Sequence, residues 1–495
     1  MKHEGYDILL NVISRYSYFF IALIIIVGYL PVLINSYGEA DDFDVLHDFW
    51  ETGTHLPTFI GSMRPLGGLL ADLTYNTITP EFHNLWIMRL GHVLGVICFC
   101  VLFSKALQIL NVTKSNACLL ALIVGLSPAI QVMVNYSTMM ALPLAGMAGI
   151  LSFICARRAL NKKQNRYPFV ILSVILLVAG LSIYQIYPMI FWSFVLVEML
   201  QEKRDIKPLF IRLVQYGVIF GVGLVSYYFL CAKIIPDIVG LEKAGRTSLT
   251  SNPIHNLIYF IIRPLRDSLN LFSLSYYGPL SRENLMAHIP SYASAITVGS
   301  CTIYGILKYF SDRPWSHKIT LGIFIFGLIT MSYLPNLVTA ALYTPYRTQY
   351  ALFASVLIVI YFAVMAVTPK HVNLLLYVLF GCSFIFCIKH LQFDIIAPRQ
   401  AEWQLVYNGT KQAIYEENKE IFVVMPDQKL MDTKTTYYSE FGGMVSMSDR
   451  GHQMVRVALR ELGKNYNEYN IIAERLPSDH VVLSSMYVID LRSLY

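Results

Sequence analysis

The feature that most constrains this chain is a series of apolar runs, each near the length of a bilayer-crossing helix, that fills most of its first 390 residues. Crossing the hydrocarbon core takes roughly 20 predominantly apolar residues in a helix. Runs of that kind lie at 16–36, 86–110, 117–134, 138–157, 168–184, 187–200, 210–233, 291–310, 319–339, 350–368 and 371–390. Inside lipid a backbone must satisfy its own polar groups, so such runs read as helices. The expected fold is therefore mainly α, a polytopic transmembrane helix bundle of about eleven spans. Composition agrees with this, since charged residues are 14% of the chain and mean hydropathy is +0.52, against roughly 25% charge in soluble domains. The net charge of +6 is dispersed over short loops, which argues against a nucleic-acid partner.

The fifth and sixth runs are short and read as a hairpin with its tip at Tyr184-Gln185-Ile186-Tyr187-Pro188. With that hairpin spanning twice, the basic loops fall on one side. They carry Arg157, Arg158, Lys162, Lys163 and Arg166, then Lys203, Arg204 and Lys207, then Arg313 and Lys318, then Lys370. Lysine and arginine mark the cytoplasmic side, so the N-terminus is expected inside and the C-terminus outside. The first run is followed by acidic residues and no small-residue cleavage site, so it reads as an anchor. The cysteines all fall inside apolar runs, which gives no disulfide framework or metal cluster.

This organisation makes residues 1–390 a membrane domain with two long outer segments, 37–83 and 234–290. Residues 37–83 read as an acidic loop of amphipathic character. Within 234–290, the stretch Ile254–Leu274 reads as an interfacial helix with Arg263 and Arg266 on its polar side. Residues 391–495 form a polar tail with short apolar runs at Ile421–Met425, Val481–Ser485 and Met486–Leu491, expected to be a small extramembrane α/β domain.

The sharpest chemical signal is Glu39-Ala40-Asp41-Asp42-Phe43-Asp44, followed by His47 and Asp48. Adjacent carboxylates at a membrane boundary raise one another's pKa unless a cation is near. Such a pair can act as general base toward a hydroxyl or hold a divalent ion; a solvated acidic loop is the structural alternative. Downstream, Gly61-Ser62-Met63-Arg64-Pro65-Leu66-Gly67-Gly68 holds the one basic residue between Tyr37 and Glu81. A guanidinium there suits capture of a phosphate, or an ion pair with a neighbouring acid. The glycines lack the spacing of a nucleotide-binding loop and no strand precedes them. Arg347, in Tyr343-Thr344-Pro345-Tyr346-Arg347, could snorkel to headgroups or reach a phosphate. Tyr184 and Tyr187 could stack on sugar rings or belong to an aromatic belt. Arg89 and His92 lie near the start of the second run, at its expected outer end, where packing or headgroup contact is the expected role.

Tyr37-Gly38-Glu39-Ala40-Asp41-Asp42, then Phe49-Trp50-Glu51-Thr52-Gly53 and Met63-Arg64-Pro65-Leu66, ahead of many spans, resemble the GT-C superfamily of glycosyltransferases. More narrowly they resemble the bacterial and phage O-antigen glucosyltransferases of the serotype-converting type, the Gtr type II family. The likeness covers the general layout and about thirty residues of the first outer segment. It implies an inverting transferase of the bacterial inner membrane that uses undecaprenyl-phosphate glucose as donor and lipid-linked O-antigen, a lipopolysaccharide precursor, as acceptor. The catalytic carboxylate maps to Asp41 or Asp42, with Asp42 preferred, and Arg64 matches the family's Arg-Pro motif. Asp44 and His47 stand where the family often has an arginine, leaving the phosphate ligands open, with Arg347, Asp44, His47, Tyr184 and Tyr187 as further substrate contacts. The residues point to no certain cofactor, and a divalent metal ion stays an open occupant. A flippase or transporter of lipid-linked saccharides is the competing class, although no internal repeat or midplane charge favours it. An O-antigen polymerase is a third reading.

Overall fold

The computed structural model describes residues 16–78, 81–137, 141–162, 164–202, 205–240, 249–275, 285–340, 342, 345–427, 440–441, 451–477 and 486–494. Tyr343 and Thr344, Lys163, Lys203, Arg204 and the Val481–Ser485 run lie outside the described residues. Each apolar run of the sequence holds a helix. In chain order the helices used below are α1 (Ser17–Ile34), α2 (Ala40–Thr52), α3 (Leu56–Gly61), α4 (Pro65–Thr77), α5 (Leu85–Ile109), α6 (Lys114–Gly125), α7 (Pro128–Asn135), α8 (Leu142–Asn161), α9 (Tyr167–Ile183), α10 (Ile190–Gln201) and α11 (Ile206–Phe229). They continue with α12 (Pro253–Phe260), α13 (Leu285–Tyr309), α14 (Trp315–Met331), α15 (Tyr350–Val367), α16 (Val372–Lys389), α17 (Ala397–Tyr415) and α18 (Gly451–Glu461).

Among the described residues, six helical stretches are long and apolar enough to cross a membrane: Ser17–Ile34, Phe82–Ile109, Leu142–Asn161, Ile206–Val239, Tyr350–Val367 and Val372–Tyr415. The pair α6 and α7 makes a seventh if read as one broken span, bent by 54°. Pro128 opens α7 and cannot continue the hydrogen-bond ladder of α6. The carbonyls this frees are satisfied from the side: Leu126 accepts from Gln131 Nε2 at 2.7 Å and Gly125 from the Tyr29 hydroxyl at 2.8 Å. A break inside lipid is tolerated on that condition. The predicted hairpin is present as α9 and α10, both shorter apolar helices, as is α14.

At the centre stands α15, whose residues from Tyr350 to Ala363 are all buried. Helices pack in lipid through small residues and shared hydroxyls. Here Ser193 on α10 and Ser355 on α15 approach to 2.8 Å, and Gly149 on α8 admits the backbone of Pro188 so closely that a Cβ would lie 2.7 Å from its carbonyl oxygen.

Three sequence expectations change. Residues 37–83 are not a loop but largely helical, as α2, α3 and α4. Around Ile254–Leu274 the apolar face is indeed outward, with Ile254 71% exposed, but Arg266 is buried against Asp267 at 2.7 Å and does not sit on a polar face. The boundary at residue 390 falls inside one continuous helix, Val372–Tyr415, which crosses it through a π-helical turn at His390–Ile396.

The tail contains a three-stranded parallel sheet in the order β2-β1-β3, with β1 Glu420–Pro426, β2 Asn470–Leu476 and β3 Tyr487–Asp490. It is α/β as expected, with α17 and α18 packed on it. Its apolar core is shared with residues 37–83 and the start of α5: Trp403, Val406, Ile421, Met454 and Ile489 join Phe43, Leu46, Phe82 and Met88. The Trp403 ring lies 4.0 Å from that of Phe82. The tail is thereby fixed onto α2, which decides how the site is built.

Candidate functional site

The site forms where α1 stops, and α2 begins there because Glu39 and Asp42 cap it reciprocally. The Asp42 N–H donates to the Glu39 main-chain carbonyl at 2.9 Å, and Asp42 Oδ2 accepts the Glu39 N–H at 2.9 Å. Asp42 is fully buried, and Arg89 Nη2 reaches its Oδ2 at 3.3 Å. Arg89, itself 1% exposed, also donates to the carbonyls of Tyr37 at 2.6 Å and Asn135 at 3.3 Å, and lies over the Tyr37 ring. Burial raises the Asp42 pKa, with Arg89 the chief opposing influence.

Glu39 pairs with Arg399, which α17 brings in from the tail; both are fully buried. Burial pushes the Glu39 carboxyl up to about 8 against the pull of Arg399, helped by Asp42, Asp41 and Glu440. Arg399 Nη2 donates to the Glu440 carbonyl at 2.7 Å. The Glu440 carboxylate is in turn held by Arg347, through Nη1 at 2.6 Å and the backbone N–H at 3.0 Å. Burial raises Glu440 as well, with Arg347 opposing. Arg347 Nη1 stands 4.0 Å from Asp41 Oδ2, and its guanidinium lies over Tyr136. Four carboxylates and three arginines therefore share one cluster. Asp41 is the open member, with its side chain 29% exposed against 6% or less for Glu39, Asp42 and Glu440.

Arg64 is set by a different device. The turn before α4 puts Met63 at φ 60, a strained backbone for a side chain of that size. The hairpin tip and α11 clamp the turn: Gln185 Nε2 donates to the Ser62 carbonyl at 2.9 Å, and the Tyr227 hydroxyl of α11 donates to the Met63 carbonyl at 2.9 Å. Gln185 Oε1 accepts from Arg64 Nε at 2.9 Å, and the guanidinium stacks 3.8 Å from the Tyr184 ring centroid. Gly67 permits this approach, because a Cβ there would lie 2.7 Å from the Ile183 carbonyl oxygen. Tyr187 is 1% exposed and stacks on Tyr350 at 4.5 Å. Among the described residues its hydroxyl has no hydrogen-bond partner, though Arg347, Glu440 and Arg64 all act on it electrostatically. A narrow, mostly apolar slot, about 380 Å³ only when its open mouth is counted, runs from Tyr184 along Gly67, Leu70 and Ala71 of α4 to Ser137.

The structure thus gathers Asp41, Asp42, Arg347 and Tyr187, with Arg64 and Tyr184 alongside. Asp44 is half-buried one turn on from Asp41. His47 is directed elsewhere, into the tail interface: Arg456 Nη1 lies 2.6 Å from its Nε2 and Glu51 3.3 Å, and burial lowers its pKa. Among the described residues no group of three or more His, Cys, Asp or Glu side chains could hold a metal ion. Gln185, Arg399 and Glu440 carry no signal in the sequence, and Arg89 reads there as a packing or headgroup residue and not as part of the site. Only Arg89 carried a signal, as an ionisable residue in an apolar run. No protein-family model matches this chain and no curated protein matches it.

Proposed function

We propose that this protein is an inverting glycosyltransferase that moves a sugar, most naturally glucose, from a polyprenyl-phosphate carrier to lipid-linked O-antigen or a related polysaccharide. It works at the periplasmic face of a bacterial inner membrane, with about eleven spans, a cytoplasmic N-terminus and a periplasmic tail. The observation that carries this reading is an open carboxylate, Asp41, 4.0 Å from a buried guanidinium, Arg347, at one end of a helical bundle.

Asp41 is the base in this scheme, because a base must reach its proton and Asp42 is sealed by its cap and by Arg89. Asp42 positions Asp41 by fixing the start of α2. Asp41 takes the proton of the acceptor hydroxyl, whose oxygen bonds to the anomeric carbon as the bond from that carbon to the phosphate oxygen breaks. The electron pair leaves with the polyprenyl phosphate. Arg347 and Arg64 neutralise the charge that develops there, and the Tyr187 hydroxyl donates to it. The donor phosphate displaces the Glu440 carboxylate, which holds the same guanidinium in the structure. The apolar slot between Tyr184 and Ser137 supports a lipid-linked donor.

The test is transfer of radiolabel from undecaprenyl-phosphate glucose to O-antigen lipid, in membranes with and without the protein. Protein-dependent transfer supports the reading. With folded, inserted protein, no transfer from this donor or from the mannose and aminoarabinose analogues would remove it.

A further inference from the structure

A second cavity, polar and independent of the proposed activity, lies at the opposite end of the bundle. Three helices that begin near the candidate site finish around it. Helix α5 runs from Leu85, about a turn before Arg89, to Ile109, α8 from Leu142 to Asn161, and α10 from just after Tyr187 to Gln201. At about 1.5 Å per residue the 25 residues of α5 set the two ends roughly 35 Å apart. The cavity is about 1120 Å³ including its open mouth, and Leu110, Arg157, Asn161, Glu198, Arg212 and Tyr216 are among its lining residues.

Its chemistry is organised. Glu198 Oε2 accepts from Arg157 Nε at 3.1 Å and from the Tyr216 hydroxyl at 2.8 Å, while Oε1 accepts from Arg212 Nε at 3.2 Å. Arg212 Nη2 is tied to Asn161 Oδ1 at 2.6 Å. One carboxylate thus holds two half-buried guanidiniums by their inner nitrogens, keeping both in the cavity wall; Glu202 also lines the cavity, so the two arginines and two glutamates of the lining balance and the positive excess comes from the rim. The exposed Arg158, Lys162 and Lys207 stand on the same helix ends. On α11 the lining residues Leu209, Arg212 and Leu213 alternate with Phe210, Ile211 and Val214, which are about half exposed on the outer, apolar side of the bundle. A ligand in this cavity therefore meets paired arginines at its head and a lipid-facing helix surface at its flank.

We infer that this cavity binds the phosphate headgroup of an anionic phospholipid, with the acyl chains lying along α11. Basic pockets between the ends of membrane helices recognise such headgroups, and the guanidinium fork suits the oxygens of a phosphodiester. The apolar flank of α11 favours a lipid over a free anion.

The experiment is native mass spectrometry of the full chain, taken from vesicles of phosphatidylcholine doped with phosphatidylglycerol. The wild-type protein is expected to retain a phosphatidylglycerol in preference to phosphatidylcholine, and Arg157→Gln/Arg212→Gln to lose that preference, a change of roughly 30-fold at about a factor of five per arginine. Arg157→Lys/Arg212→Lys, which keeps charge and removes the fork, is expected to fall between the two and serves if the glutamine pair does not fold. Equal retention of both lipids by the wild type, or undiminished preference in both paired variants, would overturn the inference. Competition by inorganic phosphate without any retained lipid would overturn it in favour of a free-anion site.

Discussion

Removing Arg89 should strand a charge that the fold has sealed from water. Asp42 is fully buried, and its carboxylate is held by a single backbone N–H, the Arg89 guanidinium and the nearby Ser137. In Arg89→Met the side chain keeps its approximate volume but the carboxylate loses its cation, and the carbonyls of Tyr37 and Asn135 lose a donor. Breaking a buried pair from one side costs about 3–5 kcal/mol. Asp42→Asn should cost less, about 1–2 kcal/mol, because the amide oxygen still accepts from Glu39 and Arg89 keeps its two carbonyls. The double variant has no stranded charge, so its loss should fall short of the sum by about 2 kcal/mol. Denaturant unfolding of the four proteins in detergent, followed by circular dichroism, measures this coupling. Additivity within about 0.5 kcal/mol would refute the claim that these two groups form one buried unit.

Three further outcomes follow from the same geometry. The folded protein holds a proton on Glu39 up to about pH 8, above its ordinary 4.5, so stability should fall as pH rises between these values, by up to about 1.4 kcal/mol per pH unit, and then level off. Glu39→Gln should flatten that profile in thermal melts at stepped pH. Arg64→Lys loses both the Gln185 bond and the stack on Tyr184 and should raise the donor KM about tenfold with the protein still folded; an unchanged KM would remove Arg64 from the phosphate site. Glu440→Gln weakens the carboxylate that holds Arg347 and should lower the donor KM in a steady-state titration, whereas a raised KM would make Glu440 a substrate ligand instead of a competitor.

What could be read in advance was set by the range over which each signal acts. Helix positions are a local matter of apolar length, and α1, α5, α8 and α15 coincide with their runs. The acidic cluster and Arg64 were also visible, because carboxylates and a guanidinium beside an apolar run carry their own signal. Their partners were not. Glu39 meets Arg399 and Arg347 meets Glu440 across separations of 360 and 93 residues, and no local pattern marks a tail residue for a membrane-end site. His47 looked like part of the acidic cluster by adjacency, yet helical periodicity turns it toward Arg456 and Tyr466 on the tail. Arg89 was expected to pack or to contact headgroups, since a charge near a helix end can snorkel. It is instead buried, because α2 folds back over it and brings Asp42.

The central claim is that Asp41, the open carboxylate beside Arg347, removes the acceptor proton. The most direct measurement is the transfer rate of Asp41→Asn, at saturating donor and acceptor and at equal amounts of folded protein. The account predicts a loss of at least about 100-fold, the usual contribution of a general base, with unfolding stability unchanged. Transfer within a few-fold of the wild-type rate would contradict it.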